Sequence, residues 1–402
     1  MTSPRFAVRA LALSLTLTAA GAFCVDPASS ATASPATASA ATASAAPAAA
    51  ASPVGGQQLA ATGVIVNLEP GIPRPPAMPG ASFLLADMDT GQILVARAPH
   101  VPHLPASTLK TLTALTLIPL LNPNRKIMVI PADVKADGTH LGILSGTAYS
   151  VRTLLQGMLI TSGNDAAYAL ARGNHSMAVT LRGMNATAAA LGASDTVAKD
   201  PSGLDKAGQK SSAYDLALIG RAAMKLPDFR RYVSTRQASL PGGRSARGKP
   251  MPGFKISNHN KLLHNYRGAI GVKNGYTIAA KFSYVEAATR GGKTYLVTEM
   301  DSPQGSWHPA AALLDWAFAH GSSVTPIGEL VEPVETVETT ASTPPVAATS
   351  TPTVAAAGRP RSPPTTSAGE PALLVWIGIA GGIIALALIG AWAWRNISAG
   401  RR

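Results

Sequence analysis

Two stretches without apolar periodicity, Pro27 to Pro53 and Pro326 to Pro371, bound what this chain can pack. The first is built of Ala, Ser, Thr and Pro, the second of Pro, Thr, Ala, Val and Glu. Such compositions do not bury enough apolar surface to offset the entropy of ordering a chain. A core must therefore form between them, in a length that suits one domain near the upper size range. The tracts themselves read as extended spacers that give the domain reach. A compositionally biased genome would leave the same signature in unconstrained linkers.

The ends of the chain predict where such a domain works. Arg5 and Arg9 precede the apolar run Ala10 to Ala22, and Ala20-Gly-Ala22 offers a small-residue cleavage site, as in an export signal. Cys24 follows, but the bulky Phe23 before it suits a lipidation signal poorly. Ala372 to Trp394 is uncharged and apolar over the roughly 20 residues a bilayer crossing needs. Arg395, Arg401 and Arg402 after it predict a cytoplasmic tail, with tryptophans 376, 392 and 394 near the interfaces. The expected organisation is thus a signal peptide over 1–22, a linker over 23–55 and a folded domain over 56–322. A stalk over 323–371, a transmembrane helix over 372–394 and a tail over 395–402 follow. This places the domain on the extracytoplasmic, cell-wall side, attached to the cell membrane through its C-terminal helix. The net charge of +13 favours anionic wall polymers or lipid head groups, and it is not clustered in a way that suggests a nucleic acid. One cysteine excludes an internal disulfide. No His-Glu-x-x-His or similar spacing is present, which argues against a zinc carboxypeptidase; no metal and no cofactor is expected.

Chemistry-bearing residues gather in three short segments. In Ser107-Thr-Leu-Lys110, after Leu104-Pro, a three-residue helical spacing places the lysine amine beside the serine hydroxyl. Serine is a weak nucleophile without a neighbouring base, and lysine can serve if burial and a nearby cation leave it neutral. A serine at a helix N-terminus also has backbone N–H groups aimed at a developing oxyanion. In the second segment, Ser150 caps a helix over Val151 to Ile160. Ser162-Gly-Asn164 then forms a polar turn, and Asp165 caps a further helix from Ala166 to Arg172. In the third, Gly271-Val-Lys273-Asn274-Gly275-Tyr276-Thr277 opens three strand-like runs, completed by Phe282 to Arg290 and Thr294 to Met300 around a Gly291-Gly292 turn. Gly275 would let a ligand approach the backbone closely. Each segment alone is weak evidence, since Ser-x-x-Lys is common by chance and Ser, Gly and Asn favour ordinary turns.

Together and in this order, they resemble the penicillin-recognising serine acyltransferases, most closely the low-molecular-mass penicillin-binding proteins that act as D-alanyl-D-alanine carboxypeptidases. Leu84-Leu-Ala-Asp-Met-Asp-Thr-Gly, Asp200-Pro-Ser-Gly-Leu-Asp and Ser212-Ala-Tyr-Asp extend the likeness over roughly residues 80 to 320. The resemblance implies Ser107 as acylated nucleophile, Lys110 as general base and Ser162 as proton carrier to the leaving amine. It implies Asn164, Lys273, Asn274, Gly275, Tyr276 and Thr277 as substrate-binding positions, with the N–H groups of Ser107 and Tyr276 as the oxyanion hole. It further implies peptidoglycan stem peptides as substrate and β-lactam antibiotics as covalent inhibitors. The chain departs from the family at Asn274, where threonine is usual, at Lys281, where glycine is frequent, and near Ser306-Trp307-His308, where an arginine often clamps the substrate carboxylate. Arg290 or Lys293 could compensate for the last.

The fold expected is α+β and β-lactamase/transpeptidase-like: an antiparallel five-stranded sheet flanked by helices, with an all-helical region. An early hairpin (Ser82 to Arg97), a helical middle (Ser107 to Leu226), the strand meander and a final helix (Trp307 to His320) supply it. Three functions fit these residues. The first is a membrane-anchored carboxypeptidase that trims the terminal D-alanine. The second is a noncatalytic wall-binding or scaffolding protein. The third is a β-lactamase, against which stands the absence of glutamate from Val179 to Leu226, the region where such enzymes hold a water-activating carboxylate.

Overall fold

The computed structural model describes residues 52–245 and 247–333. The expected signal peptide, the linker up to residue 51, the stalk beyond Pro333, the transmembrane run and the tail lie outside them. Among the described residues no helix is long and apolar enough to cross a membrane.

The sheet is built from β1 (Val64–Ile65), β2 (Ser82–Asp87), β3 (Gln92–Arg97), β4 (Ala269–Thr277), β5 (Lys281–Arg290), β6 (Lys293–Ser302) and β7 (Gly328–Glu329). Its order is β1-β3-β2-β6-β5-β4, with β7 also on β3, and every pairing is antiparallel. The five long strands are the sheet expected from sequence. The two-residue strands β1 and β7 share the outer edge of β3 and raise the count to seven, closing an edge that would otherwise present unpaired backbone groups. Gly291 and Gly292 both take positive φ, 55° and 78°, the geometry a two-residue hairpin turn demands.

Besides a single helical turn at Pro131–Val134, the helices are α1 (Lys110–Leu117), α2 (Val151–Ile160), α3 (Asn164–Gly173), α4 (Met177–Ala190), α5 (Ala213–Lys225), α6 (Pro227–Ser234), α7 (Lys261–Asn265) and α8 (His308–His320). Strand alternation sends Leu84, Ala86, Val285, Ala287 and Leu296 into the larger core, under α1 and α5. Leu85, Val95, Ala288 and Val297 go to a second core under α8. The Ser150 cap is as expected, its hydroxyl accepting from Thr153 N at 3.1 Å. The cap assigned to Asp165 is not: α3 begins at Asn164, two residues before the expected Ala166, and its cap position is Gly163. The Asp165 carboxylate instead accepts from Leu141, Gly142 and Ile143 N–H and from Ala166 N–H. It is buried, and it moors the preceding loop to the start of α3.

The domain boundary drawn at residue 322 also moves. Ile327 and Leu330 are buried, Glu329 N donates to Gly55 O at 2.8 Å, and Arg221 meets Glu332 at 2.6 Å. A two-residue strand carries no readable periodicity, so the chain up to Pro333 reads as stalk in sequence yet packs as domain. At the other end Val54 and Gly55 already belong to the packed unit, since their carbonyls accept from His100 and Glu329.

Candidate active site

Ser107 lies in a 3₁₀ turn, Ala106–Leu109, that runs directly into α1. In that geometry residues three apart eclipse one another, and Lys110 Nζ stands 2.9 Å from Ser107 Oγ. The same Nζ lies 2.6 Å from Asn164 Oδ1 and 2.6 Å from Ser202 O. These last two are acceptors only. A neutral amine has two hydrogens and one lone pair; with both hydrogens engaged, the lone pair faces the serine hydroxyl. Lys110 is wholly buried, and burial above all, then the charge of Lys273, holds its pKa well below the usual lysine range, against the pull of Asp200 and Asp165.

The turn that presents Ser107 is tightly constrained. Ala106 adopts a left-handed φ of 48°, and a Cβ on Gly203 would lie within bonding range of the Ala106 carbonyl. A Cβ on Gly275 would stand 2.6 Å from Ser107 N and 2.9 Å from Thr108 N. The close approach expected at Gly275 is thus first of all an approach of strand β4 to the nucleophile's own backbone, and it sets the Ser107 N–H beside the strand.

Ser162 combines two costs at one residue. Its φ is 63°, a strained value for a side-chain-bearing residue, and its buried Oγ has no hydrogen-bond partner among the described residues. Left-handed backbone costs about 1–3 kcal/mol and an unpaired buried hydroxyl about 1–3 kcal/mol, the kind of strain that proteins keep where a ligand acts. Asn164 Nδ2 donates to Asp137 O at 2.6 Å while its oxygen serves Lys110. It therefore fixes the base, and retains one further N–H for a substrate amide.

Strand alternation sorts the third segment. Lys273 pairs with Val285 and Gly275 with Ser283, on the face toward Ser107, whereas Asn274 pairs with Tyr284. Lys273 is buried, its Nζ donating to Asn274 O at 2.6 Å; burial pushes its pKa down to about 7, and the Glu286 carboxyl opposes that fall. The Asn274 side chain instead helps line a cavity of about 110 Å³ with Phe282, Tyr284, Glu286 and Trp307. Tyr276 is exposed, its ring 4.4 Å from that of Phe282. The Thr277 hydroxyl donates to Asp205 Oδ1 at 3.0 Å and accepts from Ala280 N, which ties β4 to the Asp200-to-Asp205 loop.

Of the two possible replacements for the family arginine, neither stands at the site. Arg290 is paired with Asp315 and lies over the rings of Tyr266 and Phe318, and Lys293 pairs with it across the hairpin. Five residues separate Arg290 from Val285, the partner of Lys273, about 16 Å along a strand. His308 begins α8, stacked on Trp307 and 3.0 Å from Ser306 Oγ. Lys281 is paired with Asp301 at 2.9 Å. Sequence reasoning missed Ser202 and Asp137, which act through backbone carbonyls that no side-chain pattern reveals. It also missed Glu286, hidden in a run that otherwise reads as an apolar strand.

The arrangement suits acyl transfer to a serine. A family model described as D-alanyl-D-alanine carboxypeptidase matches residues 70–303. D-alanyl-D-alanine carboxypeptidase DacB2 of Mycobacterium tuberculosis is 40% identical over 251 residues, covering 61% of this chain and 84% of that protein. D-alanyl-D-alanine carboxypeptidase DacD of Escherichia coli is 32% identical over 292 residues, 66% of this chain and 72% of the other. The crystal structure of a D-alanyl-D-alanine carboxypeptidase from M. tuberculosis superposes with a TM-score of 0.61 at 38% identity, over 66% of this chain and 99% of that one. The Streptomyces K15 DD-transpeptidase does so with a TM-score of 0.58 at 29% identity, over 61% and 100%. On the fold, the site and these likenesses, the chain belongs to the D-alanyl-D-alanine carboxypeptidase family of serine peptidases.

Proposed function

We propose that this protein removes the terminal D-alanine from peptidoglycan stem peptides through an acyl-enzyme on Ser107. The observation that carries this reading is the buried Lys110 amine, 2.9 Å from Ser107 Oγ and 2.6 Å from each of the acceptors Asn164 Oδ1 and Ser202 O, so that a neutral amine using its two hydrogens on those acceptors turns its lone pair to the serine. Lys110 takes the hydroxyl proton as Oγ attacks the penultimate D-alanine carbonyl carbon. The oxyanion forms between the N–H groups of Ser107 and Tyr276, where losing one donor typically costs about a hundred- to a thousandfold in rate. As the amide C–N bond breaks, the Ser162 hydroxyl passes a proton to the leaving amine, and D-alanine departs. Water then attacks the ester carbonyl, the Ser107–acyl bond breaks and the serine recovers its proton. Lys273 stabilises negative charge on the substrate. A β-lactam would acylate the same Oγ by ring opening, and because its amine stays tethered it would act as a covalent inhibitor.

The export signal over 1–22 and the apolar run over 372–394 support a domain held on the outer side of the cell membrane, in reach of the wall. Fast hydrolysis of the acyl-enzyme, as in a β-lactamase, is disfavoured by the Asp200 carboxylate: it lies beside the site but accepts from Ser202 and from the Tyr168 hydroxyl. The test is D-alanine release from a peptide ending in D-Ala-D-Ala, run beside labelling with fluorescent penicillin. Both should occur, both should vanish in Ser107→Ala, and Lys110→Ala should label barely at all. Labelling that persists in the serine variant would overturn the assignment; labelling without release would point to a substrate changed by Asn274 and His308, and the absence of both from a folded protein would favour the wall-binding reading.

A further inference from the structure

Asp205 holds a carboxylate at the mouth of the site that the reaction as described does not use. Thr277 ends β4, and because residues two apart on a strand share a face, its side chain lies on the face of Lys273 and Gly275, toward Ser107. The Thr277 hydroxyl donates to Asp205 Oδ1 at 3.0 Å. Asp205 is exposed; among the described residues its Oδ2 accepts no hydrogen bond and no cation pairs with it. Lys206 follows it in sequence without pairing to it, and Lys281 is taken by Asp301. Its position is fixed, since the same loop braces the base and the nucleophile. Lys110 Nζ meets Ser202 O at 2.6 Å, and Gly203 lies so close to the Ala106 carbonyl that no Cβ fits between them.

The reaction decides which way a substrate lies along β4. The attacked carbonyl sits at the N–H groups of Ser107 and Tyr276. The departing D-alanine lies toward Lys273 and toward Ser162, whose buried hydroxyl has no protein partner among the described residues. The acyl part therefore extends the opposite way, past Tyr276 to Thr277. β4 is the last strand of the sheet, and an extended peptide can add to the edge of such a strand. A strand advances about 3.3 Å per residue. The residue before D-Ala-D-Ala, one place beyond the attacked D-alanine, thus comes level with the end of β4, where Asp205 stands.

We propose that Asp205 is a specificity-determining residue: it pairs with a side-chain ammonium on the residue that precedes D-Ala-D-Ala in the stem peptide. The ammonium N–H donates to Oδ2 while Thr277 keeps Oδ1 in place. An amide formed at that nitrogen, as in a cross-link between stems, carries no charge and loses the pairing. The site therefore favours stems whose side-chain amine is free over stems already joined through it, and trimming acts first on material not yet cross-linked. The inference rests on the carboxypeptidase reading and on the direction in which the substrate lies.

The experiment measures D-alanine release by the full chain from Nα-acetyl-L-Lys-D-Ala-D-Ala and from its Nε-acetylated form, which differ only at the side-chain nitrogen. The wild type should favour the free amine by about three- to fivefold in kcat/KM, the upper end for an exposed ion pair. Asp205→Asn keeps an acceptor for Thr277 and removes the charge, so the ratio should fall to about one; damage to the loop would slow both peptides alike and leave the ratio standing. Equal rates in the wild type, or a preference that survives in the Asn variant, overturn the role of Asp205 and leave the carboxypeptidase reading intact. Release from neither peptide by a folded wild type removes that reading, and the role with it. If the Asn variant does not fold, the wild type supplies the test alone. Its preference should shrink toward equality at about 0.5 M salt, and a preference indifferent to salt overturns the proposal.

Discussion

At Gly275 a hydrogen is all that the space allows, because the atoms opposite it are backbone and cannot rotate away. Gly275→Ala should push β4 from the Ser107 turn and lower penicillin acylation by about a hundredfold or more, the usual penalty for displacing a reacting group by about 1 Å. Thermal unfolding should show a folded protein, so the loss can be read as misplacement. A second residue governs stability and not chemistry. Asp215, at the start of α5, is buried, and burial raises its pKa to about 7 against the hydrogen bond from Thr196. Between the ordinary carboxylate value and about pH 7 the folded state binds more protons than the unfolded one, so stability is greatest below that window and falls as pH rises through it. Asp215→Asn keeps the Thr196 bond and should flatten this decline, by an amount on the order of a few kcal/mol, measured as urea midpoints across the range. Residues that act through side chains at fixed spacing were legible in sequence: Ser107 with Lys110, and Lys273 two places from Gly275. Asp215 and Glu286 were not, because what matters about them is burial, which depends on elements distant in the chain.

Among the elements, α3 and the loop before it do more than their sequence signals suggest. Asp165 reads as a helix cap, which is local, whereas its carboxylate gathers three consecutive N–H groups of a loop more than twenty residues earlier. That loop supplies Asp137 O, which orients Asn164, which orients Lys110. Asp165→Ala should leave those donors unpaired at a cost of about 3 kcal/mol or more, and should slow acylation as well. Asp133→Ala, which breaks the ion pair with Arg172 at 2.6 Å on the same helix, should lower stability with a smaller effect on acylation. Comparing labelling rates with urea midpoints for the two variants separates mooring from mere stability. The sheet was legible because alternation, a Gly-Gly turn and three consecutive runs are local signals. Its two shortest strands were not, since pairing with β3 is decided by tertiary contact and not by periodicity.

For the whole molecule, the packed unit runs from the region of Val54 to Glu332, and its size in sequence was underestimated at both ends. A chain ending at residue 322 lacks Ile327 and Leu330, each worth about 1.5–3 kcal/mol of burial, and β7 with them. It should melt at lower temperature than a chain ending at 333 while labelling with penicillin at a similar rate, since β7 lies at the sheet edge opposite β4. The closing contact has a topological meaning. Glu329 N meets Gly55 O, and Tyr214, whose ring packs on that of His100, donates its hydroxyl to Glu329 O and accepts from Val331 N. Where the chain enters the domain and where it leaves are thus neighbours in one small knot of hydrogen bonds, so the domain is very nearly a ring. A few residues joining those points, with a new opening at the Gly291-Gly292 tip, would give a circular permutant in which sheet order and catalytic geometry are conserved although the order of the three motifs along the chain is not.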